Sequence, residues 1–211
     1  MQSLNKERSL ELGAVLLTAC GHLVTNTLGG HGVFIACAVV FWAAYGAHRA
    51  RQDSQALSSW GIQRPGLFAT WRATRVFGAL ALISCVVWGI VAGRFPPPVH
   101  ALLLVLLYPV WGVVQQTLVQ GFVVRHLDDA LGPQQRWLTV LLGASAFGVV
   151  HVPHVELMAA TFLFGLVATP IWLKHRNVWP LAFWHGTVGC LFYYFVLGRD
   201  PWVEAFAGLP G

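Results

Sequence analysis

Charge is what this chain has least of. Of its 211 residues, 13 are Lys or Arg and 8 are Asp or Glu, so only 10% are charged, against about 25% in soluble domains. A surface so poor in charge cannot face water on all sides. That excludes a soluble globular protein and leaves an all-α, polytopic transmembrane helix bundle. The net charge of +5 is therefore no sign of nucleic-acid binding. Cysteine is also sparse: Cys20, Cys37, Cys85 and Cys190 lie in apolar runs without C-x-x-C spacing. That pattern excludes a disulfide framework and suits small buried hydrophobes. Carboxylates are few enough to name: Glu7, Glu11, Asp53, Asp128, Asp129, Glu156, Asp200 and Glu204. Internal repeats and low-complexity tracts are absent.

What is present is hydrocarbon. About 20 apolar residues cross a bilayer core, and that measure predicts seven segments, at 10–28, 32–47, 76–93, 98–124, 137–151, 155–173 and 179–197. With the N-terminus inside, eleven Lys and Arg fall on the cytoplasmic side, and only Arg94 and Arg199 fall outside. This is a strong positive-inside bias, and it supports an odd number of spans. The expected setting is a bacterial inner (plasma) membrane, with lipid as the surrounding partner. Leu17-Thr18-Ala19-Cys20 has the look of a lipobox, but Glu11 interrupts the preceding apolar run, so a retained first helix is expected. The long connection 48–75 is basic, and its Trp60–Phe68 portion suits either an interfacial segment or a solvated linker. The chain divides into residues 1–97, with the first segments and basic loop, a core at 98–197 and a tail at 198–211.

Polar residues inside the apolar segments are expensive and mark sites. The fourth segment carries Gln115, Gln116 and Gln120. Gln116 and Gln120 are four apart and share a helical face, so they are expected to hydrogen-bond to each other, while Gln115 points elsewhere. Gly121 offers close approach to a neighbouring helix. His151 ends one later segment, and His185 lies inside the last. Glutamines alone suit helix–helix glue, whereas two histidines on other segments point to one polar cavity. Counted by helical rise, these residues do not reach equal depth unless the fifth helix is short, with His151 near its internal end.

The order Gln115-Gln116-x-x-x-Gln120-Gly121, then Phe147-x-x-x-His151, then His185 resembles the CAAX protease and bacteriocin-processing (CPBP, or Abi) family of intramembrane proteases. That family carries E-E-x-x-x-R-G, F-x-x-x-H and H-x-x-x-N. The resemblance implies a CAAX-protease-like endopeptidase acting on membrane-associated or prenylated peptides or proteins. Position 115 would hold the glutamate that takes a proton from water, position 116 a second glutamate and position 120 its arginine partner. His151 and His185 would orient water, bind a divalent metal such as zinc, or stabilise the oxyanion.

The sequence departs from the family pattern at 115, 116, 120 and 189, where Gly189 stands for the asparagine. Exchanging an ion pair for Gln116 and Gln120 removes one charge of each sign, which a fold can absorb. Gln115 is different, because a neutral amide cannot serve as a general base. His151, His154 and Glu156 form an alternative metal or base set, with Glu156 also suited to a helix start. Three readings stay open: an endopeptidase with atypical catalytic residues, a catalytically silent relative that binds a membrane peptide or partner protein, and a structural subunit.

Overall fold

The computed structural model describes residues 2–206. Residues 207–211 of the tail lie outside the described residues, as do the side chains of residues 2–8, including Lys6 and Arg8. All regular structure is helical, with no strand among the described residues. The helices are α1 (Gln2–Leu28), α2 (His31–Gln52), α3 (Ala56–Ser59), α4 (Leu67–Val91), α5 (Ala101–Gln116), α6 (Arg125–Leu131), α7 (Arg136–Val149), α8 (Val155–His175), α9 (Trp179–Leu191) and α10 (Pro201–Phe206). Two π-helical stretches, Thr117–Val124 and Phe192–Leu197, extend α5 into α6 and prolong α9. The chain is thus a polytopic, integral-membrane helical bundle.

Each of the seven expected segments finds a helix. Five are long and apolar enough to cross a membrane: α2, α4, the α5–α6 rod, α8 and α9 with its extension. The first is not among them, since α1 carries Glu11, Thr18, His22, Thr25 and Asn26 along its length. As expected, the fifth is short: α7 has 14 residues, about 21 Å of rise against a hydrocarbon core of about 30 Å.

The expected long connection is shorter than its polarity suggested. α2 runs on to Gln52 and α4 begins at Leu67, because Arg, Gln and Ala are good helix formers whether or not lipid surrounds them. The remaining loop packs onto the bundle through Trp60 and Gly61, while Arg64 and Pro65, with Phe68 at the start of α4, stay exposed. Trp60 is 3% exposed, packed on Trp42, Tyr45 and Phe122. The Gly61 carbonyl accepts from the Val178 amide at 3.0 Å. Asn177 Nδ2 donates to the carbonyls of Gln63 and Pro65 at 2.6 and 3.0 Å, and Gln63 Nε2 donates back to the Arg176 carbonyl at 2.7 Å. The loop is latched to the α8–α9 turn. Gly121 also differs from expectation, because the close neighbour is the Trp60 backbone of this loop, 2.8 Å from where a Cβ would stand.

α5 and α9 pack most intimately. A Cβ at Gly112 would lie 2.6 Å from the Ala182 carbonyl oxygen, and one at Gly186 would lie 2.5 Å from Pro109 Cα. Ionic groups sit at the two ends. At one end, buried Glu11 (4% exposed) accepts from Arg125 at 3.1 Å and from Tyr45 at 3.2 Å. Nearby, Asp128 pairs with Arg176 at 2.7 Å and Arg136 at 3.3 Å. At the other end, Arg94 donates to the carbonyls of Phe195 and Val196. Asp200 there meets His100 at 2.7 Å and accepts from the Tyr194 hydroxyl at 3.0 Å. Of the cysteines, Cys85 and Cys190 are buried as expected, whereas Cys20 and Cys37 are exposed on the apolar faces of α1 and α2.

Two predictions follow from this packing. Gly186→Leu forces a side chain into the α5 backbone and costs at least about 1–3 kcal/mol, read as a lowered melting temperature in detergent. A melting temperature equal to that of the parent would contradict the close approach. Asp200 gives a pH dependence. Burial raises its carboxyl, but hydrogen bonds from His100, Tyr194 and the Trp202 and Val203 amides outweigh this and hold it below its usual 3.8. A depressed pKa contributes stability above the unfolded value that is lost as pH falls through the folded one. Asp200→Asn therefore lowers thermal stability at neutral pH, and the gap to the parent closes in acid.

Candidate functional site: a carboxylate-free intramembrane cavity

The site begins where α5 gives way to the π-helical stretch. Such wide turns recur at functional positions and shift the angular spacing of side chains. Gln115, on the last α-turn, faces a cavity of about 530 Å³. Its Oε1 lies 2.9 Å from His185 Nε2. With the amide oxygen as acceptor, the imidazole donates, which fixes His185 with a proton on Nε2. The close approach of α5 and α9 makes this bond, since Gly112 precedes Gln115 by one turn and Gly186 follows His185.

Gln116 and Gln120 are both fully buried, at 0% exposure, but they do not bond to each other. This corrects the i,i+4 expectation. The π-helical turn that starts at Thr117 changes the spacing on which that pairing relied, and Gln120 Nε2 instead donates to Thr169 Oγ1 on α8 at 3.3 Å. Both amide atoms of Gln116, and Gln120 Oε1, have no partner among the described residues. An unpaired buried polar group costs about 1–3 kcal/mol. Gln116 is absent from the cavity wall, so only Gln115 of the three glutamines reaches it.

His151 lies two residues past the end of α7, on the same cavity. Its Nδ1 is 2.9 Å from the Phe147 carbonyl and 3.2 Å from Thr161 Oγ1, whose own hydroxyl donates to the Leu157 carbonyl at 2.7 Å. Nδ1 therefore carries the proton, and Nε2 is left as the basic nitrogen. The Phe147 ring stands between the two histidines, 5.5 Å from His151 and 4.9 Å from His185. Gly189 also lines the cavity, and a Cβ there would meet nothing within 4 Å. The space for a side chain at this position is present and unfilled.

Two histidines escaped the sequence reading. His22 on α1 and His31 on α2 line the same cavity, with rings 4.7 Å apart and His22 6.1 Å from His151. A signal existed, because His22, Thr25 and Asn26 fall at i, i+3 and i+4 in an apolar helix and form a polar stripe. His154, by contrast, lies outside the cavity against Arg199 at 3.0 Å, and Glu156 sits in the first turn of α8. The alternative set of His151, His154 and Glu156 does not assemble. Zinc takes three or four such ligands. No three His, Cys, Asp or Glu side chains among the described residues stand close enough to share an ion. With His185 Nε2 already engaged by Gln115, the residues in place do not fit a resident metal.

The fold and cavity define a helical membrane protein with a polar intramembrane site walled by aromatic and aliphatic groups. Residues 96–191, from the turn before α5 to the end of α9, match the Rce1-like family, the type II CAAX prenyl endopeptidases. This stretch, a little under half of the chain, is similar to that family. No curated protein and no solved structure matches the chain.

The unpaired amide yields a test. Gln116→Glu buries a carboxylate without a partner and costs about 3–5 kcal/mol, and because position 120 faces Thr169 instead, adding Gln120→Arg does not recover that loss. Thermal unfolding of both variants in detergent measures the difference. A double variant as stable as the parent would show that the two positions do face each other.

Proposed function

We propose that this chain is a CAAX-protease-like intramembrane protein that holds a membrane-associated peptide or prenylated chain end in its central cavity and does not hydrolyse it by the family's glutamate mechanism. The observation that carries this reading is the composition of the wall. Gln115, His151 and His185, with His22 and His31, converge on a chamber whose exposed wall is mostly apolar and whose lining includes no Asp, Glu, Lys or Arg. A few placed hydrogen-bonding groups in an apolar pocket are what a binding site requires. Water activation by carboxylate requires a base that Gln115 does not supply. The amide and imidazole instead offer donors and acceptors to a peptide main chain, while Phe77, Phe164 and Phe192 provide contact for an apolar end.

One observation supports a second reading, an endopeptidase with an atypical base. His151 is oriented through Nδ1 by the Phe147 carbonyl and Thr161, the arrangement that frees the other ring nitrogen for proton transfer. In that reading Gln115 and His185 act on the substrate carbonyl.

The two readings part on one experiment. The protein is reconstituted in vesicles with a fluorescent prenylated peptide and its unprenylated twin, and both retention and cleavage are followed. Binding without cleavage is expected, with affinity lowered about tenfold by His185→Ala, the loss of roughly one hydrogen bond to a buried group. A released peptide fragment that disappears in His151→Ala would replace the first reading with the second.

A further inference from the structure

The cations of the bundle divide into two sets. Arg94, Arg125, Arg136, Arg176 and Arg199 each meet a carbonyl or a carboxylate. Arg51, Arg64, Arg72, Arg75 and Lys174 are exposed and meet no acceptor among the described residues. All five of these lie at the end that the distribution of Lys and Arg makes cytoplasmic. The buried carboxylates there, Glu11 and Asp128, are already taken by Arg125, Arg136 and Arg176.

Arg72 and Arg75 stand apart from the rest of their set in depth. About 20 residues cross the hydrocarbon core, and counted back from Val91 they reach Arg72. The aromatic residues mark the same level. Trp71 is exposed, stacks on Trp184 with ring centroids 5.4 Å apart, and lies 5.2 Å from exposed Phe183. Such rings settle where headgroups meet hydrocarbon. Trp184 itself covers Gly78, so α4 and α9 close behind this aromatic ledge. Arg72 and Arg75, neighbours at i and i+3, therefore stand at the membrane boundary on the outer face of α4. A cation at that depth without a protein acceptor is costly unless an anion comes to it.

The same face continues into the membrane as an apolar strip. Val76, Ile83 and Val87 follow Arg72 at i+4, i+11 and i+15 and are exposed. Thr70, Thr74, Gly78 and Cys85 occupy the opposite, buried face. A pair of guanidinium groups above an apolar strip matches a phosphate above an acyl chain. A soluble anion would leave the strip unused.

We propose that Arg72 and Arg75 bind the phosphate of an anionic phospholipid of the cytoplasmic leaflet, with an acyl chain along Val76, Ile83 and Val87. The planar guanidinium forks match phosphate oxygens, and Arg64 and Lys174 add to the attraction for a lipid of net negative charge. None of these residues lines the central cavity, so the site does not depend on what that cavity holds.

The test uses the full-length protein in phosphatidylcholine vesicles that carry a trace of phosphatidylglycerol or phosphatidylcholine with a photoreactive diazirine in its acyl chain. Labelling is mapped to residues by mass spectrometry. The phosphatidylglycerol probe is expected to label α4 between Val76 and Val87 about twentyfold more than its zwitterionic twin, and Arg72→Gln or Arg75→Gln alone lowers that preference about fivefold. Both arginines are exposed and unbonded, so these variants keep the melting temperature of the parent, which is measured alongside. Arg51→Gln removes an unpaired cation elsewhere at the same end and leaves the preference unchanged. Equal labelling by the two lipids overturns the proposal. An equal loss in Arg51→Gln reduces the effect to general surface charge and overturns it as well. Loss of the preference on adding excess inorganic phosphate at constant ionic strength assigns the arginines to a soluble anion and overturns the lipid site.

Discussion

Gly112 on α5 and Gly186 on α9 allow two helices to approach backbone to backbone, and this approach brings the Gln115 amide within 2.9 Å of the His185 imidazole. In hydrocarbon each of these groups alone would lack a partner, at a cost that water cannot relieve. Paired, they hold α5 and α9 in one register. Small residues at the contact and a polar pair beside it reinforce each other, because van der Waals packing and hydrogen bonding both drive helix association in lipid. His151 and Phe147 then close the cavity from α7, so the site is assembled around a contact made for packing reasons.

The ends of the bundle follow a different rule. Glu11 and Asp128 are nearly buried, yet each is met by arginine, and these pairs tie α1 to α6 and α6 to the turn after α8. The buried carboxylates sit where an arginine meets them, and the central cavity is left to amides and imidazoles. Gln116 is the exception, with both amide atoms unmet among the described residues.

Much of this was legible in the sequence. Hydropathy located all seven long helices, and the triad of Gln115, His151 and His185 was found from its motif order. The shortness of α7 followed from depth counting alone. Three features were not legible. The π-helical turn after Gln116 has no periodicity signature, so the pairing of Gln116 with Gln120 failed. The latch of Gln63 and Asn177 joins residues far apart in sequence through backbone carbonyls, which side-chain chemistry does not announce. His22 and His31 belong to helices outside the motif-bearing region, and only the polar stripe on α1 hinted at them.

The absence of charge from the three glutamines of the α5 rod has an electrical consequence. A charge moved across a membrane field does work of about 2.3 kcal/mol per 100 mV. Here Gln115, Gln116 and Gln120 carry none. If α5 shifts or rotates as a ligand comes and goes, these residues do no work against the transmembrane voltage, so the Gln115–His185 and Gln120–Thr169 bonds are not biased by it.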